Sequence, residues 1–312
     1  MMYMIEVIEA DQHADRTAAL EAAELAWDTI DVAKVRDVSW FSVPGVGQHF
    51  AQITDNQPLD AFVAPFLQGR DDLAGAAIAC GDMVGERTIF DQFPFGRIDG
   101  YDISGESLRR AADSYARSPI DFRPHHGDCN RLVLPTRRYD LVLGWHGIHH
   151  IEAIDPLFDQ IEQALTEDGV FMMYEWIGPK YLQIPRPNAL ISRLLLSTLF
   201  RREERVTHEG KRKGRWLQQP PEMFEPSEAV NADRIHGALV ERFEVLRKIL
   251  FGGLLYPMFE GLGANEHLAT DSSTARRVGL VARLEQNLTR RGLIRPLFMI
   301  SVARRRKAHT VR

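Results

Sequence analysis

Gly75-Ala76-Ala77-Ile78-Ala79-Cys80-Gly81-Asp82-Met83-Val84-Gly85, followed by Arg97-Ile98-Asp99-Gly100-Tyr101-Asp102-Ile103-Ser104, decides the fold. Ala76 to Cys80 is small and apolar enough for a strand buried on both faces, as a parallel sheet requires. The run stops at Gly81-Asp82. Glu86 to Phe90 then reads as a helix, and Arg97 to Tyr101 as a second strand ending in Asp102. About 20 residues separate Gly81 from Asp102, a spacing that suits an adenosine-type ligand whose ribose hydroxyls meet a carboxylate.

Working outward, Ser104 caps a helix running to about Ala116. Ile120 to Arg123 is a short third strand that leads to Gly127-Asp128-Cys129-Asn130. Tyr139 to Trp145 is a strongly apolar fourth strand. Asp155-Pro156 supplies a cap and a first-turn proline for a helix ending near Asp168-Gly169, and Val170 to Glu175 is a fifth strand. Strands alternating with single helices predict an α/β fold with a doubly wound, mostly parallel sheet. Ligands bind such sheets at the carboxyl ends of the strands, so the positions to watch are Gly81-Asp82, Asp102, Asp128-Cys129, Trp145-His146 and Glu175-Trp176.

The flanks divide the chain into a helical N-terminal segment or cap (1–70), a ligand-binding core (71–176), a lid or substrate insertion (177–226) and a C-terminal part completing the sheet (227–312). Ala14 to Val35 has helical spacing. Ser39 to Asn56 is turn-rich and reads either as cover for a ligand mouth or as a packed connector to a helix over Leu59 to Leu67. In the insertion, Ala189 to Phe200 is helical, and Lys211-Arg212-Lys213 reads as a solvated loop face. Ser227 to Val240 is a helix with Ser227 as its cap. Arg242 to Leu250 is a strand, Leu254 to Leu262 and Ala275 to Arg291 are helices, and Leu297 to Arg304 is the last strand. Arg304 to Lys307 reads as a solvated end.

The 312 residues are 45% apolar and 26% charged, within the range of one globular catalytic domain with additions. A net charge of −5 disfavours a nucleic-acid partner. The start lacks a basic head followed by an apolar run, and no stretch approaches a membrane span, so a cytoplasmic protein without a membrane partner is expected. Cys80 and Cys129 are too few for a disulfide framework or a structural zinc site.

Taken together, these segments resemble the class I S-adenosylmethionine-dependent methyltransferases. Ala79-Cys80-Gly81-Asp82-Met83 is similar to the family's glycine turn, with Ala79 and Met83 in place of its first and third glycines. Gly100-Tyr101-Asp102-Ile103-Ser104 resembles the second motif, Gly127-Asp128-Cys129-Asn130 the third, and Tyr139 to Val142 through His149-His150-Ile151 the fourth. The resemblance implies a Rossmann-like seven-stranded sheet whose last strand inserts between the fifth and sixth.

It also implies S-adenosyl-L-methionine as cofactor, S-adenosyl-L-homocysteine as product, and methyl transfer to oxygen or nitrogen of a small-molecule acceptor. A cofactor-binding protein without methyl transfer is the alternative, and a homodimer is left open. Ala79, Cys80, Gly81, Asp82, Asp102, Ile103, Asp128, Cys129 and Trp145 are the expected cofactor residues, with Asp102 on the ribose and Asp128 near the adenine. His146 is the preferred base and His149 the second candidate. Trp40, Glu175, Trp176 and Trp216 are candidates for the acceptor wall. No metal is expected, because His146, His149 and His150 with Glu152 lack a conventional ligand spacing.

Overall fold

Leu73–Ile78 (β1), Phe95–Asp102 (β2), Asp121–His126 (β3), Tyr139–Trp145 (β4), Leu165–Trp176 (β5), Phe243–Phe251 (β6) and Phe298–Arg305 (β7) form one sheet, in the order β3-β2-β1-β4-β5-β7-β6. The structure, a computed structural model, describes residues 38–213 and 227–306 and positions 24, 25 and 28. The helix expected over Ala14 to Val35, and Trp216, therefore lie wholly or largely outside the described residues. The first five strands pair in parallel, and β7 runs antiparallel between β5 and β6. This is the mostly parallel, doubly wound sheet that the sequence predicts.

The register fixes where a ligand can sit. Ile78 pairs with both Tyr101 and Gly144, Asp102 with His126, and Trp145 with Tyr174. The residues just past β1, β2, β3 and β4 therefore share one edge of the sheet. On β5 and its antiparallel neighbours, Trp176 pairs with Phe298, and Phe298 with Phe251, which extends that edge with aromatic rings.

The helices, in chain order, are Val46–Ile53 (α1), Ala64–Leu67 (α2), Arg87–Phe90 (α3), Gly105–Tyr115 (α4), Ile154–Ala164 (α5), Arg186–Leu199 (α6), Ala232–Arg242 (α7), Leu255–Phe259 (α8), Glu266–Thr270 (α9) and Thr274–Arg290 (α10). The stretch expected to be turn-rich before Leu59 thus contains a short 3₁₀ turn at Trp40–Ser42 and the helix α1. As expected, Ser104 caps α4, its Oγ accepting from Ser107 N at 3.0 Å. Burying α5's apolar stripe of Ile154, Leu157, Phe158 and Ile161 holds it to the sheet, where Phe158 meets Phe171 and Phe243 edge-on. Each such ring stabilises the fold by roughly 1.5–3 kcal/mol relative to exposure.

Several local expectations need correction. α5 ends at Ala164 rather than near Gly169, because Arg137 N and Arg138 N donate to the Gln163 and Ala164 carbonyls at 2.9 and 2.7 Å. With those carbonyls satisfied from outside, the chain is released into β5. Asp155 does not cap α5. Asn130 Oδ1 takes up Glu152 N and Ala153 N at 2.8 and 3.0 Å, and Asp155 instead pairs with Arg234.

Ser227 does not cap a helix either, since α7 begins only at Ala232, after Asn231. Arg304 and Arg305 belong to β7 rather than to a solvated end, and Arg304 pairs with Glu244 across to β6. The run Lys211-Arg212-Lys213 is not uniformly solvated: Lys213 is half-buried, with its amine donating to the Glu260 carbonyl.

Candidate cofactor and acceptor site

The loop leaving β1 takes left-handed backbone at three alternate positions, only one of which is glycine. Ala79, Gly81 and Met83 all have positive φ, at 48°, 50° and 64°. L-residues with a side chain disfavour that region by about 1–2 kcal/mol each, so the surrounding packing has to impose it at Ala79 and Met83. Met83 answers the strain by burying its side chain completely. Gly147, just past β4, packs its bare Cα against Ala79, and a Cβ there would collide with the Ala79 carbonyl. Above Gly81, by contrast, no heavy atom of the described residues lies within 4 Å of where a Cβ would stand. The backbone there faces open space.

Asp102 ties this loop to the next strand. Its Oδ2 accepts from Gly81 N at 2.7 Å and its Oδ1 from Ser104 N at 2.8 Å. Burial pushes its carboxyl up from the ordinary aspartate range, against the opposing pull of those N–H groups. Each oxygen retains a lone pair for a further donor. Asp128 stands at the end of β3, its Oδ1 accepting from Asn130 N and Nδ2, both at 2.8 Å.

Cys80 and Cys129 are both buried beside this crevice, and burial drives the Cys129 thiol up to about 12. Asp82 turns back on its own loop, accepting from Val84 N at 3.4 Å, while the Ile103 carbonyl accepts from His126 Nε2 at 2.8 Å. Trp145 lays its indole against Gly85 and its ring edge-on to Tyr174. An open backbone turn flanked by carboxylate acceptors at the ends of β2 and β3 fits an adenosine cofactor.

Past β4 and β5 the wall is aromatic. The Tyr174 ring contacts Phe41, Phe50, Trp145, His146, Phe251 and Phe298, with centroids between 4.0 and 6.5 Å apart. Its hydroxyl is buried and has no hydrogen-bond partner among the described residues. His146, at φ 56°, turns its ring over Tyr174, 4.0 Å between centroids. Burial lowers the His146 imidazole to about 4, so it is neutral at pH 7.

Trp40 is buried in the same cluster, stacked on Phe298, and donates its backbone N–H to Glu260 at 3.3 Å. Trp176 is buried too, its indole N–H donating to the Pro179 carbonyl at 3.1 Å. Buried Glu285 of α10 holds the loop after β6 by accepting from Gly252, Leu254 and Leu255 N at 2.7, 2.7 and 2.9 Å. The insertion docks here as well, through Asn188 Nδ2 on the Gly253 and Arg295 carbonyls.

His149 points away from the crevice chemistry expected of a free base. Its Nδ1 bonds Glu175 Oε1, and its Nε2 lies 3.4 Å from Glu228 Oε1. Burial alone would depress this imidazole, but Glu175 and Glu228 outweigh it and raise it to about 10. Glu175 is fully engaged: Gly147 N and Ile148 N meet its Oε2 at 3.0 and 2.7 Å, and Trp176 N meets Oε1 at 3.0 Å. It reaches the site only through the turn that it organises. Tyr174, Glu228, Glu260 and Glu285 were not singled out from the sequence, where each is one ordinary residue within a strand, turn or helix. A surface cavity of about 410 Å³ lined by Arg87, Phe95 and Ile120 lies where β2 and β3 begin, at the opposite end of the sheet from this crevice.

A family model described as a methyltransferase domain matches residues 76–169, the segment that contains all four loops just described. No curated protein matches the sequence. Among solved structures, the chain is similar to an S-adenosylmethionine dependent methyltransferase from Mesorhizobium loti, with 18% identity over 78% of this chain and 96% of that one, at a TM-score of 0.45. It is also similar to a geranyl diphosphate C-methyltransferase from Streptomyces coelicolor A3(2), with 13% identity, 79% and 75% covered, and a TM-score of 0.45. The [4+2]-cyclase SpnF is similar at 16% identity, with 79% and 80% covered and a TM-score of 0.45. Residues 76–169 thus match a methyltransferase domain, in agreement with the resemblance read from the four motifs.

Proposed function

We propose that this enzyme transfers a methyl group to an oxygen or nitrogen of a small, largely apolar acceptor held against the aromatic wall. The observation that carries the reading is the pair His146 and Tyr174. The Tyr174 hydroxyl is buried and bonds no described residue, and the His146 ring lies over the Tyr174 ring at 4.0 Å between centroids, beside the Trp145 end of β4. A buried hydroxyl left unpartnered in an aromatic enclosure is costly, by about 1–3 kcal/mol, unless a ligand or water meets it.

Gly81, Asp102 and Asp128, with Trp145 alongside, are the residues that would hold the cofactor. When bound, S-adenosylmethionine supplies an electrophilic methyl on a sulfonium. The protein's own contribution is to align the acceptor, exclude water with the rings of Phe41, Phe50 and Phe298, and take up the acceptor's proton. His146 is neutral at pH 7 and can accept that proton on a ring nitrogen, with Tyr174 Oη orienting the acceptor atom.

The alternative, a cofactor-binding protein without methyl transfer, draws on the loss of two glycines at Ala79 and Met83. Because both positions keep positive φ, the turn's geometry survives the substitutions, which supports the catalytic reading. The test is single-turnover transfer from methyl-labelled cofactor into pooled small metabolites, with wild type and His146→Gln. Turnover should fall by roughly 10²–10⁴-fold in the variant, with cofactor affinity retained. Full turnover in His146→Gln, with an unchanged pH profile, would remove His146 from the reaction. Cofactor binding without any transfer by the wild type would favour the alternative.

A further inference from the structure

We propose that His149, His150 and Glu228 form a site for one divalent transition-metal ion. One ligand atom from each of the three lies within 4.8 Å of the others. The 3₁₀ turn Ile148–His150 presents the two imidazoles, tilted at 39° with centroids 4.2 Å apart, and the residues leading into α7 bring Glu228 to them from 78 positions beyond His150 in the chain. The sequence could not show this set, since the acid near the histidines in sequence, Glu152, is exposed and is not one of the three.

Two independent features point to a cation. The first is the way His149 is held. Glu175 accepts three backbone N–H groups and is therefore a carboxylate, so the hydrogen of the His149–Glu175 bond sits on Nδ1. That fixes the ring's orientation, with Nε2 3.4 Å from Glu228 Oε1, which is the carboxylate–histidine arrangement that supports metal ligands.

The second is charge. Glu228 Oε1 is buried and makes no well-aligned hydrogen bond among the described residues. The ion pairs that Glu175 and Glu228 make there are with His149 alone. An ion placed among the three ligand atoms would meet the Glu228 oxygen that lacks a well-aligned donor. Two imidazole nitrogens and one carboxylate oxygen suit zinc, cobalt or nickel better than calcium or magnesium, and leave room for solvent in the remaining position.

The experiment uses the full chain without a histidine tag, stripped with chelator and titrated with Co²⁺ by visible absorption and with Zn²⁺ by chelator competition. Wild type should take up one ion of either metal with the spectrum of a four- or five-coordinate cobalt. Glu228→Gln and His150→Gln should each weaken binding by at least ~10-fold, the lower bound for losing even an outer partner of a metal site. Calorimetry with S-adenosylhomocysteine on the same samples reports whether the fold and the cofactor site are intact, independently of the metal. Absence of stoichiometric Co²⁺ and Zn²⁺ binding in protein that binds S-adenosylhomocysteine overturns the proposal. So does equal metal affinity in wild type and both variants.

Discussion

Replacing Asp102 with asparagine separates the two jobs that its carboxylate performs. In the structure Oδ2 accepts from Gly81 N at 2.7 Å and Oδ1 from Ser104 N at 2.8 Å, and the side chain is buried. Asparagine offers one acceptor oxygen and one donor amide, so one of these N–H groups faces another donor. Leaving it unsatisfied should cost about 1–3 kcal/mol of stability. The bound cofactor should lose a charged acceptor for its ribose at the same time. The loss of about 1.5–3 kcal/mol for such a bond corresponds to roughly a 10–150-fold rise in Kd.

Thermal unfolding of the free protein measures the first effect, and calorimetric titration with S-adenosylhomocysteine measures the second. The account requires both. A folded Asp102→Asn protein that binds S-adenosylhomocysteine as tightly as wild type would show that Asp102 only braces the loop and that the ribose lies elsewhere.

Three further outcomes are expected. Gly81→Ala should lower stability by only about 1–2 kcal/mol, the left-handed penalty at φ 50°, because the Cβ meets open space. Its S-adenosylhomocysteine affinity should nonetheless fall at least ~10-fold, as the methyl occupies ground needed for close backbone approach; unchanged affinity would place the cofactor away from this turn. Burial lowers His49 to about 4, with its Nε2 unpartnered among the described residues. Its contribution is therefore fully present above pH 6.5 and is lost as pH falls toward 4, at up to about 1.4 kcal/mol per pH unit. The stability difference between wild type and His49→Leu, followed by urea denaturation from pH 7 to 4.5, should shift in favour of the variant on acidification, and a constant difference would contradict the burial argument. Finally, Cys80 and Cys129 are buried and their thiols are pushed up, so iodoacetamide at pH 8 should label the native protein slowly, and more slowly still with S-adenosylhomocysteine bound. Rapid labelling that the ligand does not change would place that cysteine away from the crevice.

How much of this was legible in the sequence depended on whether the signal was local. β4 is legible to the residue, because Tyr139 to Trp145 is an apolar run interrupted only by Asp140 near its start and is buried on both faces. The cap of α4 at Ser104 was read for the same reason. Errors arose where a partner distant in sequence satisfied the backbone. Arg137 and Arg138 end α5 early, and Asn130 takes the capping role assigned to Asp155.

Lys211-Arg212-Lys213 looks solvated by composition, yet the Glu260 carbonyl draws Lys213 inward. The glycine turn carried the opposite lesson. Its letters are altered at Ala79 and Met83, yet both positions take the positive φ that glycine accommodates most readily. The clamp on His149 was invisible for a topological reason. Glu175 and Glu228 lie 26 and 79 residues beyond it and meet it only once β4, β5 and the approach to α7 are assembled.

The most direct measurement is a crystal structure of this protein grown with S-adenosylhomocysteine. The account predicts the ribose hydroxyls within hydrogen-bonding distance of Asp102, the adenine beside Asp128 and Cys129, and the sulfur directed past Gly81 toward Trp145 and His146. A ligand bound elsewhere, or an Asp102 carboxylate that contacts only Gly81 and Ser104 while the ribose is held by other residues, would contradict it.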